Sequence, residues 1–159
     1  MRLEIETADP DETARLGEAI GRLARAGDVV GISGDLGAGK TQLVRGLARG
    51  LDIDPALIYS PSFTLVAEHE GRLRLNHIDL FRLDEPVAAS DEEEIGLAEY
   101  LTTSGITAVE WHRKLDRPAS TWALEIDIEV GEGSRRTIRL SPASPRGQEL
   151  VGELRRRWR

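Results

Sequence analysis

The sequence predicts an α/β fold in three layers, a mixed, partly parallel central sheet with helices packed on it, spanning residues 1–159 as one domain. Three observations predict it. Strand-like and helix-like segments alternate along the chain, two hairpin patterns add antiparallel strands, and a glycine-rich turn joins a short apolar strand to a helix. The balance of 40% hydrophobic and 31% charged residues is that of a globular domain and argues against disorder.

The elements follow in order. Leu3 and Ile5 alternate with charges, the pattern of a short half-exposed strand. Asp9-Pro10-Asp11-Glu12 then opens a helix: Asp9 accepts from free backbone N–H groups, Pro10 suits the first helical position, and Glu12 completes a capping box. Leu16, Ile20 and Leu23 form its apolar stripe, and Gly27 is placed to end it in the left-handed conformation. Residues 28–33 read as a buried strand. A second helix is expected from about Lys40, with Leu43, Val44, Leu47 and Leu51 inward. Residues 63–69 and 73–78 flank Glu70-Gly71-Arg72 as a hairpin. Ser90-Asp91-Glu92-Glu93 opens a further helix to about Leu101, its acids matched to the helix dipole. The compact run 106–109 has the look of a buried parallel strand. Trp122, Leu124, Ile126, Ile128 and Val130 alternate strictly, and Ile138 and Leu140 complete a second hairpin. Ser144-Pro145 caps a last helix carrying Leu150, Leu154 and Trp158.

Composition removes several classes of function. The chain has no cysteine, which excludes disulfides, thiolate metal sites and cysteine nucleophiles. Its three histidines include no i, i+4 pair, so a histidine zinc site is not expected. Charges interrupt the first six residues, unlike a signal peptide, and no apolar run approaches the ~20 residues a membrane helix needs. The expectation is a cytoplasmic protein. With 28 acidic against 21 basic residues, and a net charge of -7, neither DNA nor a membrane is an expected partner. The basic residues are 19 arginines and only two lysines, Lys40 and Lys114.

Lys40 stands in a motif. Gly34-Asp35-Leu36-Gly37-Ala38-Gly39-Lys40-Thr41 matches the phosphate-binding loop, with the required strand before it and helix after it. Glycines let successive backbone N–H groups turn inward on phosphates, and the helix N-terminus adds partial positive charge. Lys40 places a compact ammonium on the β- and γ-phosphates, and the Thr41 hydroxyl coordinates Mg²⁺. A guanidinium is too broad for that cradle, so a lysine here, in a chain that uses arginine almost everywhere else, marks the site. The expected nucleotide contacts are Asp35, Leu36, Gly37, Ala38, Gly39, Lys40, Thr41 and Gln42. The sole asparagine, Asn76, precedes His77, so no Asn-Lys-x-Asp guanine-reading motif exists and ATP is favoured by elimination.

A phosphate loop needs an acidic partner for its metal. Parallel strands bring their C-terminal ends to one edge of the sheet. Glu110 and Asp79 both stand at such ends; Glu110, with the better preceding apolar run, is assigned to Mg²⁺, directly or through water, and Asp79 to the metal shell or the attacking water. His77 reads as a hydrogen-bonded structural residue rather than a general base, while Trp111 fits core packing and a place beside the nucleotide equally.

Several segments resemble, in order, the TsaE (YjeE) ATPases of bacterial tRNA threonylcarbamoyladenosine biosynthesis. The loop is similar to the family's Gly-x-Leu-Gly-Ala-Gly-Lys-Thr. Ser60-Pro61-Ser62-Phe63-Thr64-Leu65-Val66 resembles its Ser-Pro-Thr-Phe-Thr-Leu-Val switch, and His77-Ile78-Asp79-Leu80-Phe81-Arg82-Leu83 its His-x-Asp-Leu-Tyr-Arg-Leu. Glu110-Trp111 resembles a strand-end Glu-Trp, and Thr13-Ala14-Arg15-Leu16-Gly17 a weaker Thr-x-x-Leu-Gly. The resemblance implies weak ATP hydrolysis supporting a TsaB–TsaD pair, with tRNA met indirectly or weakly. It also implies that Lys40, Thr41, Asp79, Glu110 and Trp111 belong to the nucleotide site, and that Thr13 and Arg135 or Arg136, Arg136 preferred, lie near it. Ser62 and Thr64 then lie on a segment able to order around the γ-phosphate. Ser62, Phe81 and His112-Arg113-Lys114 depart from the pattern, which usually has Thr, Tyr and Pro-Glu. Arg82 is a candidate arginine finger. The basic tail Arg155-Arg156-Arg157 and Arg159 is read first as cations at a helix C-terminus, with tRNA contact the alternative. A small-molecule kinase and a nucleotide-gated binding module share the loop, although no arginine-rich lid insertion supports the kinase.

Overall fold

A computed structural model describes residues 2–59, 66–81, 100, 105–115 and 122–158. Its elements are β1 (Leu3–Thr7), α1 (Pro10–Leu23), β2 (Val29–Gly34), α2 (Lys40–Gly50), β3 (Val66–His69), β4 (Leu75–Asp79), β5 (Ile106–Glu110), β6 (Leu124–Val130), β7 (Arg136–Pro142) and α3 (Pro145–Arg157). The seven strands form one sheet in the order β1-β7-β6-β2-β5-β4-β3. The four inner strands, β6, β2, β5 and β4, run parallel, and antiparallel pairs add β7 and β1 at one side and β3 at the other. This is the mixed α/β sheet expected, with both hairpins present.

Local rules account for the helix starts. Asp9 accepts the Glu12 amide at 2.8 Å and Ser144 accepts the Gly147 amide at 3.1 Å, each followed by a proline in the first turn. The end of α1 differs from expectation. The helix stops at Leu23 with an extended cap at Ala24, and Gly27, at φ 91°, serves the turn into β2 instead. Asp28 explains the early stop. Its carboxylate accepts from the Arg25 amide and from both prongs of Arg146, while Arg146 also donates to the Leu23 carbonyl, so the helix's last turn is drawn into a polar knot with α3. The first hairpin is also shorter than expected: β4 starts at Leu75 rather than Leu73, because Gly71 to Leu73 bend beneath the Leu51 carbonyl. Trp122 lies just before β6 and is buried as packing.

Side chains divide by strand alternation between two cores. On the helix side, Val30, Ile32, Ala108, Leu124, Ile126 and Ile128 meet Leu16, Ile20, Leu43 and Leu47 of α1 and α2 and Leu150 and Leu154 of α3. On the other side, Val29, Ile78 and Val109 pack with Leu115 and Trp122, flanked by Tyr100. Tyr100 is helical, but the rest of the helix expected near 90–101 lies outside the described residues. No helix among the described residues is long and apolar enough to cross a membrane.

Glycines set the depth at which α1 and α2 cross. A Cβ on Gly46 would lie 1.8 Å from the Ala14 carbonyl oxygen, and one on Gly17 would lie 2.2 Å from that of Leu43. The two backbones therefore touch, and α1 becomes a wall that fixes the helix following the glycine-rich loop. Gly46→Ala should cost about 1–3 kcal/mol or more by overpacking, read as a lowered urea midpoint at unchanged slope.

Candidate functional site

The parallel strands deliver their ends to one edge, as the sequence implied. Asp79 and Glu110 are register partners on β4 and β5, and Ile32 of β2 pairs with Glu110 on its other side. Beyond Ile32, β2 runs into the loop 34–39, and Gly39, in the left-handed region at φ 109°, starts α2 without any side-chain cap. The N-cap of α2 thus contributes no side-chain acceptor, and a helix N-terminus is an end where backbone N–H groups favour negative charge.

Lys40 is 5% exposed. Its ammonium donates to the carbonyls of Gly34 and Asp35, each at 2.8 Å, and sits 4.3 Å from the centre of the Trp111 ring. Burial pushes its pKa below the ordinary lysine value, and the neighbouring carboxylates Glu110, Asp79 and Asp35 work against that fall.

Glu110 is the other buried charged group at this edge of the sheet, 2% exposed. The Thr41 hydroxyl donates toward both of its oxygens, at 3.1 and 3.0 Å, and His77 Nε2 lies 2.5 Å from Oε2. Alternation explains the convergence. His77 and Asp79 on β4 project from the same face as Ala108 and Glu110 on β5, the face toward α2, while Ile78 and Val109 enter the opposite core. Asp79 is half-buried and accepts the Phe81 amide at 3.0 Å. Burial pushes its pKa up and the Glu110 carboxylate adds to the rise, while the Phe81 hydrogen bond, His77 and Lys40 offset part of it.

The oxygen donors of Thr41, Glu110 and Asp79 are hard ligands of the kind Mg²⁺ takes. Among the described residues no group of three or more His, Cys, Asp or Glu converges to hold a metal by itself.

The remaining expected residues fall on two sides of the loop. Thr13, Gly37, Ala38, Gly39, Gln42 and Arg136 line one cleft of about 210 Å³ between α1 and the β6–β7 turn. Thr13 is buried there, its hydroxyl 2.8 Å from that of Thr7, and Gln42 donates to the Pro10 carbonyl. Arg136 rather than Arg135 reaches the loop, and it does so through the backbone. Its guanidinium donates to the carbonyls of Ala38 at 2.9 Å and Gly37 at 3.5 Å, and to those of Gly133 and Arg135. It ties the hairpin turn to the loop and occupies outward carbonyls. Leu36 projects into solvent, 72% exposed. Asp35 and Trp111 line a second cleft of about 510 Å³, with Ser33, Asp127 and Arg113. Ser62, Thr64 and Arg82 lie outside the described residues.

A model of the family "Threonylcarbamoyl adenosine biosynthesis protein TsaE" matches residues 7–138. The chain belongs to the TsaE family. It is 33% identical to the Bacillus subtilis tRNA threonylcarbamoyladenosine biosynthesis protein TsaE, over 98% of this chain and 95% of that one. It is 38% identical to the Nostoc protein of the same name, over 93% and 91%. The crystal structure of Bacillus subtilis YdiB superposes with a TM-score of 0.78 at 32% identity, covering 98% and 95% of the two chains.

Within this TsaE-family chain the unusual residues find local roles. His112-Arg113-Lys114 forms a 3-10 turn entered through Trp111, which is left-handed at φ 62°. The His112 ring lies where a Cβ on Gly31 would stand 2.4 Å away, packs edge-on to Trp122, and bonds Glu125 at 3.0 Å. It anchors the turn and so orients Trp111 over Lys40. Phe81, in place of the usual tyrosine, rests its ring 5.3 Å from that of Trp111. Sequence reasoning missed the His77–Glu110 contact, although strand alternation two residues before Asp79 signals it. It also missed the mode of Arg136, for which side-chain to loop-carbonyl bonding leaves no pattern in sequence.

Asp79 offers a test of this electrostatic reading. Its pKa is raised on folding, so ionising it costs folded-state stability at neutral pH, and that cost fades as pH falls and the group protonates in both states. In metal-free buffer Asp79→Asn should stabilise the protein at pH 7, with the gain shrinking toward acid, in urea titrations across pH.

Proposed function

We propose that this chain binds ATP with Mg²⁺ and hydrolyses it, weakly alone and coupled to the TsaB–TsaD pair, in the tRNA threonylcarbamoyladenosine cycle of the cytoplasm. The observation that carries the reading is the Thr41–Glu110 contact beside Lys40, at the mouth of an uncapped helix N-terminus. The family name on its relatives supplies the pathway.

The chemistry follows from the residues. Loop amides and the first amides of α2 would take the phosphate oxygens, and Lys40 would turn from the Gly34 and Asp35 carbonyls to the γ-phosphate. Thr41, Glu110 and Asp79 would hold Mg²⁺, which supplies neutralisation of phosphate charge. Water attacks the γ-phosphorus as the bond to the β–γ bridging oxygen breaks. Asp79, half-buried and with raised proton affinity, is suited to orient that water and draw on its proton. Trp111 shields Lys40 from solvent on one side, which strengthens its pull on a phosphate. Ser62 and Thr64 belong to the segment expected to respond to the γ-phosphate and so couple nucleotide state to the partner.

Phosphate release measured for the chain alone, with small-molecule acceptors and with TsaB–TsaD decides among the readings. Partner-stimulated release supports this one, and phosphate appearing on an acceptor overturns it. Within the site, Lys40→Arg should lower turnover by about 10²-fold or more while the thermal midpoint stays within a few degrees. Wild-type turnover in that variant would remove Lys40 from the mechanism.

A further inference from the structure

The nucleotide site leaves one strongly charged surface unused. Arg15, Glu18, Ala19 and Arg22 of α1 and Arg157 and Trp158 at the end of α3 line an open cleft of about 400 Å³. The protein is acidic, with a net charge of -7. Among the described residues that line this cleft the balance reverses: Arg15, Arg22 and Arg157 stand against one acid, Glu18, while Arg155 and Arg156 share the last turn of α3 with Arg157 and Glu153 lies one turn earlier. Those two glutamates are shared. Glu18 contacts Arg22 at 2.7 Å and Arg49 at 3.6 Å, and Glu153 contacts both Arg156 and Arg157. Each acid therefore meets two guanidiniums, and positive charge remains in excess.

A helix C-terminus is stabilised by a cation or two in its last turn. That accounts for part of the α3 run, but not for Arg15 facing the same cleft from the middle of α1. Trp158 holds Arg15 in place, with the guanidinium carbon 4.8 Å from the ring centre and the ring itself packed against the core. The cleft thus presents oriented guanidiniums, donors whose fork matches phosphate oxygens.

We infer that this surface binds the phosphate backbone of tRNA, an inference that rests on the proposed role in tRNA modification. The alternative occupant, an acidic protein, fits less well. Protein interfaces centre on buried apolar anchors. The exposed large apolar side chains among the described residues, Leu36, Leu57, Tyr59, Phe81 and Val130, all lie elsewhere. Phosphate contacts need cations and shape but no apolar centre.

The test is fluorescence anisotropy of a labelled, unmodified tRNA transcript titrated with the full chain across a salt series. The Arg15→Gln/Arg22→Gln/Arg157→Gln variant should bind about tenfold more weakly, with a log–log salt slope shallower by about 2 to 3. Arg157→Gln alone should flatten the slope by about 1. Its side chain is 65% exposed, so it is not expected to disturb the fold. Both variants should keep wild-type ATP binding and turnover, which separates this surface from the nucleotide site. Equal affinity and slope in wild type and variants overturns the assignment. So does competition by polyglutamate as effective as that by tRNA at equal charge, which would give the surface to an acidic protein.

Discussion

A carboxylate buried at the end of a parallel strand organises this molecule. Glu110 is 2% exposed, and burying such a group is costly unless its oxygens are hydrogen-bonded. Thr41 comes from the helix after the glycine-rich loop, and His77 from the neighbouring strand. These contacts tie α2 to β4 and β5. Lys40, one residue before Thr41, is held in the same field and would be hard to bury without it. The site's electrostatics and the docking of α2 on the sheet edge are one arrangement.

The rest of the fold serves to hold that arrangement still. α1 presses against α2 at glycines where no Cβ would fit, so the helix cannot slide. Arg136 fastens the loop's outer carbonyls to the β6–β7 turn, and Asp28 with Arg146 fastens the start of β2 to α3. The loop between β2 and α2 is thereby braced at its entry, its flank and its exit. Lys40 rests on the loop's own carbonyls, which accept two hydrogen bonds from its ammonium and so help to hold the charge in place.

Much of this was legible in sequence because it depends on short-range rules. Caps at Asp9 and Ser144, period-2 alternation in β6 and the glycine spacing of the loop are local signals, and each names its element. Glu110 and Asp79 could be placed together because parallel strands end at a common edge. What escaped was set by distant partners. The end of α1 is decided by Arg146, 123 residues beyond Leu23 in sequence, rather than by Gly27. The orientation of Trp111 is decided by the fit of His112 against Gly31, and the role of Arg136 by backbone oxygens that have no identity in sequence.

The most direct measurement is calorimetric binding of ATP, with and without Mg²⁺, to the wild type and to Glu110→Gln. If Glu110 is the carboxylate that joins Thr41 at the metal, Mg²⁺ should tighten ATP binding to the wild type, and the substitution should abolish that gain. Binding of ATP alone should change little. An undiminished magnesium effect in Glu110→Gln would contradict the account.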